Sequence, residues 1–133
     1  MPPGFNNIAP YILVNGAAQF LDFLKSAFEG AELLRVPRPD GTIMHAEVRI
    51  GDSIIELADA NDQYPARPMF MHFYVPDADA TFERALRAGA SSLQDVGDMP
   101  WGDREGTVTD PFGNTWYIGM PKGWTPGPEG MRS

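Results

Sequence analysis

Two histidines, an isolated glutamate and a set of tyrosines are the groups in this chain best suited to chemistry. His45, Glu47 and Arg49 fall at alternate positions of one predicted strand, so they share a face. Glu56 sits in Ile54-Ile55-Glu56-Leu57, a polar interruption in an apolar run, and His72 alternates with Phe70 and Tyr74. The same parity turns Tyr11 and Tyr117 toward the Glu56 side. A carboxylate among aromatic rings loses hydration and needs a cationic or N–H partner, which His72, His45 or Arg49 would supply. Glu56 would then serve as a general base with His72 as the second catalytic group, or as an anchor for a ligand ammonium or N–H. A hollow lined by aromatics with a few convergent polar groups suits a flat or partly aromatic small molecule. The plainer role for His72 is an imidazole lining that hollow and satisfied by one hydrogen bond.

A second group lies in a predicted loop over residues 97–105, where Asp98, Asp103 and Glu105 accompany Trp101 and Arg104. Trp101 would stack on a ligand while the acids attract a cation. Alternatively Trp101 plugs the loop against the sheet, and Arg104 pairs with Asp103 or Glu105. Asp110-Pro111-Phe112-Gly113 reads as turn chemistry, with proline presetting the bend and glycine supplying a left-handed position.

Other chemistries are excluded by composition and motif. There is no cysteine, so a disulfide scaffold, a thiolate nucleophile and a cysteine-ligated metal are ruled out. No glycine-rich phosphate loop, Gly-x-Ser-x-Gly elbow or H-E-x-x-H motif is present. A net charge of −8, from 18 acids against 10 bases, repels phosphate backbones and argues against nucleic acid as partner. Its everyday role is solubility, though it also favours a cationic ligand. With no secretory signal pattern and no apolar run of spanning length, a cytoplasmic protein without a membrane partner is the default expectation.

The elements that must hold these groups occur twice. The strand-to-helix entry Ile12-Leu13-Val14-Asn15 is matched by Phe73-Tyr74-Val75-Pro76, with Val14 and Val75 61 residues apart. The hairpin Gly51-Asp52-Ser53-Ile54 is matched by Gly113-Asn114-Thr115-Trp116 at a spacing of 62. With 43% hydrophobic residues in 133, the chain can bury a core as one domain built from two similar modules, residues 8–58 and 69–119. A Pro/Gly-rich tail carrying Trp124 follows over residues 120–133.

Each module reads as strand, helix and three strands. In the first, a strand over 8–14 leads through Asn15 as cap to a helix whose apolar face is Phe20, Leu21, Leu24, Ala27 and Phe28, stopped by Gly30. Strands are expected at 31–37, 42–50 and 53–58, with Ile43 on the His45 side and Met44 on the Ala46 side. In the second, a strand over 69–75 precedes a helix capped by Asp77, with Ala78, Phe82, Ala85 and Leu86 as its apolar face and Gly89 at its end. Strands at 91–96, 104–109 and 114–119 complete it. The fold class is α+β, with two paired βαβββ modules whose sheets turn toward each other as a cup.

Several runs carry a resemblance to a known family. They are Pro10-Tyr11-Ile12-Leu13-Val14, Ala27-Phe28-Glu29-Gly30-Ala31, His45-Ala46-Glu47-Val48-Arg49-Ile50-Gly51-Asp52-Ser53, Trp101-Gly102-Asp103-Arg104-Glu105-Gly106 and Asp110-Pro111-Phe112-Gly113-Asn114. Over residues 8–119 the chain resembles the vicinal oxygen chelate superfamily of glyoxalase I, bleomycin-resistance proteins, fosfomycin-resistance enzymes and extradiol dioxygenases. The resemblance implies the cupped mixed sheet and a homodimer. It also implies where a divalent metal would be held, on the first and last strands of each module. The opening-strand positions fall on Ala9 and Phe70, which offer no donor. The closing-strand positions fall on Glu56 and on Tyr117 (or Ile118). The expectation is therefore a small-molecule-binding protein without a cofactor. Ligand contacts are expected from Tyr11, His45, Arg49, Phe70, His72, Tyr74, Trp101, Arg104 and Tyr117. The alternatives are a metal-dependent lyase, isomerase or transferase with a rearranged site on Glu56, His72 and His45, and a bleomycin-type sequestering protein.

Overall fold

A computed structural model describes residues 5–121, which divide into two compact units between Pro68 and Met69. The expected Pro/Gly-rich tail from residue 122 on, with Trp124, lies outside the described residues. The first unit contains β1 (Tyr11–Val14), α1 (Ala17–Phe28), β2 (Ala31–Pro37), β3 (Ile43–Ile50) and β4 (Ser53–Asp59). The second contains β5 (Phe70–Tyr74), α2 (Ala78–Arg87), β6 (Ser91–Asp98), β7 (Arg104–Thr109) and β8 (Thr115–Met120). Each forms a four-stranded sheet, ordered β1-β4-β3-β2 and β5-β8-β7-β6, in which the first and last strands pair in parallel. Parallel neighbours need a crossover, and each helix supplies part of it while covering one sheet face.

Side-chain alternation then sorts each strand. On the helix side, Ile12, Val14, Ala46, Val48, Ile55 and Leu57 are buried with Phe20, Leu21, Leu24, Ala27 and Phe28 of α1. Phe23 also enters this core and meets Phe28 edge-on, with ring centroids 5.6 Å apart. In the second unit Trp116, Ile118, Val108, Phe82 and Ala85 play the same part.

Local chemistry departs from the sequence expectation in several places. The first strand begins at Tyr11 rather than residue 8, and Ile8 is exposed. The last strand runs one residue further than expected, through Met120, and β6 takes in Gly97 and Asp98. Asn15 does not cap α1. The cap position is Gly16 in left-handed conformation, and the first-turn N–H groups of Gly16 and Ala17 donate to Asp59 Oδ1, at 3.1 and 2.9 Å. The other oxygen of Asp59 accepts the Ile43 N–H at 2.7 Å. One carboxylate at the end of β4 thus anchors the helix start and the β3 start. Asp77 caps α2 as expected, accepting from Ala80 N at 3.1 Å. At the end of α1 the left-handed residue is Glu29, not Gly30. Gly30 is required instead by close approach, since a Cβ there would lie 2.9 Å from Val48 Cγ2. Leu86 is half exposed, and Thr81 takes the expected place on the buried face of α2.

Ile43 is buried and Met44 exposed, the reverse of the expected parity at the start of β3. A register shift between Val36 and Pro37 opposite this point breaks the alternation. From His45 onward the parity holds.

In the second unit Asp110 is buried and accepts from Phe112 N, Asn114 N, Asn114 Nδ2 and Trp116 Nε1, at 2.8–3.2 Å. Asn114 Oδ1 in turn accepts Met69 N at 3.1 Å. The turn therefore fixes the start of β5 as well as joining β7 to β8. Gly113 does occupy the positive-φ position.

Two outcomes follow. Asp59→Ala leaves three backbone donors without their acceptor and is expected to cost about 2–3 kcal/mol in urea unfolding; a cost within about 0.5 kcal/mol, the scatter of ordinary surface substitutions, would refute the anchoring role. Glu32 bridges Lys25 of α1 and Arg35 of β2, each at 2.8 Å. Its hydrogen bond from Arg35, then that from Lys25, lowers its pKa from 4.5 to about 2. Because the folded value is depressed, the stabilisation is complete above 4.5 and is lost as pH falls through 2. Glu32→Gln should lower stability at neutral pH by about 0.5–1 kcal/mol, as for exposed pairs, and the deficit should shrink through that acid window. A deficit independent of pH would contradict this.

Candidate functional site

The sheet face away from each helix collects the polar and aromatic groups. In the first unit a single cross-strand row runs Tyr11, Glu56, Glu47, Leu34, set by the β1–β4, β4–β3 and β3–β2 registers. His45 Nε2 lies 2.9 Å from Glu47 Oε2 and 3.6 Å from Glu56 Oε1. One donor atom from each of these three residues lies within 4.8 Å of the others, and all three side chains are part-buried. The Tyr11 ring stacks on the His45 imidazole, with centroids 5.8 Å apart and planes at 29°. Arg49 occupies the same face but is exposed and makes no ion pair with Glu47 or Glu56.

The corresponding row of the second unit is His72, Tyr117, Thr107, Gln94. Register thus matches Tyr11 with His72, Glu56 with Tyr117 and Glu47 with Thr107, which resolves the closing-strand position as Tyr117 rather than Ile118. His72 Nε2 is 2.8 Å from Glu105 Oε1. A carboxylate only accepts, so Nε2 carries the proton, and Nδ1 of a neutral ring is left as an acceptor. The pair meets above Gly119, where a Cβ would lie 3.0 Å from His72 Cε1 and 3.4 Å from Glu105 Oε1. Tyr74 packs against the His72 ring at 4.3 Å and Tyr117 stacks on it at 6.3 Å and 16°. Glu105 is nearly buried, while Phe70 and Tyr74 are exposed on the same face.

His72 therefore has Glu105 as its partner within its own unit, and His45 with Glu56 has Glu47. The sequence pattern puts Glu47 on the His45 face and Glu105 among the acids of the loop, but pairs neither with a histidine. Only the β7–β8 register opposite Gly119 brings Glu105 to His72. Arg104 pairs with Asp79 of α2 at 2.7 and 2.9 Å and with Asp98 at 3.1 Å, not with Asp103 or Glu105. Those hydrogen bonds, Asp79 first, raise its already high pKa further. Trp101 is 66% exposed in the β6–β7 loop. Among the described residues no helix is long and apolar enough to cross a membrane.

The family model described as the Glyoxalase/Bleomycin resistance protein/Dioxygenase superfamily matches residues 4–118. The chain belongs to that superfamily. An uncharacterized protein of Mycobacterium tuberculosis H37Rv is 39% identical over 125 residues, 86% of this chain and 74% of its own length. Among solved structures, TioX from Micromonospora sp. ML1 is 27% identical with a TM-score of 0.72, covering 86% of this chain and 95% of TioX. A glyoxalase-related enzyme from Fulvimarina pelagi shares the fold at 20% identity and a TM-score of 0.70, covering 92% and 94% of the two chains. The two four-stranded sheets with their helices are those of this superfamily's fold.

A metal held in the superfamily's arrangement does not fit these residues. Ala9 precedes β1 and has only a methyl group, and Phe70 offers a hydrocarbon ring.

Gly119→Ala should push the His72 ring away from Glu105, since the added methyl would crowd it at 3.0 Å from Cε1. In imidazole nitrogen NMR spectra of the full chain, a predominant Nε2–H tautomer of His72 is expected in the wild type and lost in the variant. An unchanged signal would show that Gly119 does not set this contact.

Proposed function

We propose that the chain binds a small aromatic or cationic molecule, using stacking and hydrogen bonds rather than a metal in the superfamily's usual place. The observation that carries this reading is the His72–Glu105 pair set over Gly119 between the rings of Tyr74 and Tyr117. Glu105 holds the imidazole in one tautomer and orientation, so Nδ1 is presented as an acceptor. The second carboxylate oxygen can take an N–H or ammonium of the guest. Phe70, Tyr74 and Tyr117 supply ring faces for stacking or cation–π contact. An acidic chain favours a cation in the encounter as well.

Trp101, exposed in the β6–β7 loop, offers a further ring to the guest in this reading, whereas Arg104, engaged by Asp79 and Asp98, holds the loop base. In this reading Glu56 and His72 act in binding rather than in a chemical step. The superfamily's usual homodimer accompanies the proposal, with a small molecule rather than nucleic acid or membrane as partner. Sequestration of a bleomycin-type drug is the special case in which the guest is a planar cation.

Titration of the full chain with bleomycin and with simple planar aromatic ammonium compounds, followed by tryptophan fluorescence, tests this. Saturable binding is expected, weakened about tenfold or more, some 1.4 kcal/mol, by Glu105→Gln and by His72→Asn. Absence of saturable binding across the series, or wild-type affinity in both variants, would reject it.

A further inference from the structure

We infer that His45, Glu47 and Glu56 form a site for one borderline divalent cation of the zinc, cobalt or nickel kind, built wholly within the first unit. The inference goes beyond the organic guest proposed above and does not rest on it.

Register creates the site. Glu47 and Glu56 are direct partners on adjacent antiparallel strands, and like charges so placed repel. Among the described residues no lysine or arginine pairs with either carboxylate, although Arg49 lies two positions along the same strand face. The basic group that meets both is the His45 imidazole. Even protonated it would leave the trio with a net negative charge.

Donor type and spacing then fit a cation. Imidazole nitrogen and carboxylate oxygen bind zinc-like ions at about 2.0–2.2 Å, which places neighbouring donors roughly 3.0–3.5 Å apart. His45 Nε2 lies 2.9 Å from one carboxylate oxygen and 3.6 Å from the other. All three donor atoms lie within 4.8 Å of one another; a cation on Nε2 would take the place of its proton, and the Glu47 carboxylate would turn aside from that axis to coordinate beside it. The Tyr11 ring, stacked on His45 and opposite Glu56 in the register, fixes the plane of the imidazole. On binding, the cation would replace the Nε2 proton, which moves to Nδ1 or to solvent. Three protein donors on a sheet face leave coordination positions for water or for an oxygen or nitrogen donor of a small molecule.

The second unit cannot repeat this. Its register places Thr107 where the first has Glu47, and Tyr117 where it has Glu56. The site also differs from the arrangement the superfamily implies, because all three donors come from the adjacent β3 and β4 and none from an opening strand. A site on Glu56, His72 and His45 would instead draw on both units.

Calorimetric titration of the metal-free full chain with zinc chloride, and cobalt chloride followed by its visible absorption, decides the matter. One cation per chain is expected, with affinity reduced at least about tenfold in His45→Asn, Glu47→Gln and Glu56→Gln. Asp62→Asn, an exposed acid of the linker, should bind as wild type, and so should His72→Asn. Melting without metal reports folding separately. Glu47→Gln relieves the facing charges and should melt no lower than wild type. No binding by wild type at millimolar cation overturns the inference, as does unchanged binding in the three variants. Loss of binding in His72→Asn but not in His45→Asn overturns it equally. A lower metal-free melting temperature for Glu47→Gln, with no cation bound by wild type, would make the trio an internal ion network.

Discussion

Parallel pairing between the first and last strand of each unit is the constraint from which the rest follows. It sets Tyr11 beside Glu56 and His72 beside Tyr117, residues 45 positions apart in each unit. A parallel neighbour can be reached only through a crossover, so a helix must cross one face of the sheet and bury it. That face takes the aliphatic side chains. The other face, left to the alternate residues, becomes the only place where imidazoles, carboxylates and phenols can stand without being trapped in the core. Chemistry is confined to one surface by packing before any ligand is considered.

Two carboxylates hold this arrangement at its corners, by different routes. Asp59 receives three backbone N–H groups from the start of α1 and the start of β3. Asp110 receives four donors within its turn, including the Trp116 indole, and reaches Met69 through Asn114. Both satisfy donors that would otherwise be left without partners in or near the core, where loss of a partner costs more than the bond contributes. The two units share a fold but not the residues that secure it.

Their open faces have diverged in the same manner. The first carries two facing glutamates and a histidine, a polar group rich in metal-type donors. The second carries one histidine and one glutamate in a mutual hydrogen bond, among three aromatic rings. A chain assembled from two copies of one plan therefore carries two unlike open faces, ionic in one unit and aromatic in the other. Superfamily membership is compatible with either, and the side chains rather than the fold distinguish them.

Strand alternation and helix periodicity are local, so the sequence alone determined the α+β class, the twofold repeat and, except at the start of β3, which residues share a face. His45 with Glu47, and Phe70 with His72 and Tyr74, were legible in this way. Register between strands is not local, because a slip of one residue changes every cross-strand neighbour while leaving the periodicity intact. Only the tertiary structure could decide that Glu47 faces Glu56, that Glu105 reaches His72 across Gly119 from 33 residues away, and that Asp59 rather than Asn15 receives the N–H groups opening α1. The shift opposite Pro37 likewise buried Ile43 and exposed Met44 against the pattern of their own strand. Side-chain period fixes a face, and long-range pairing chooses the neighbours on it.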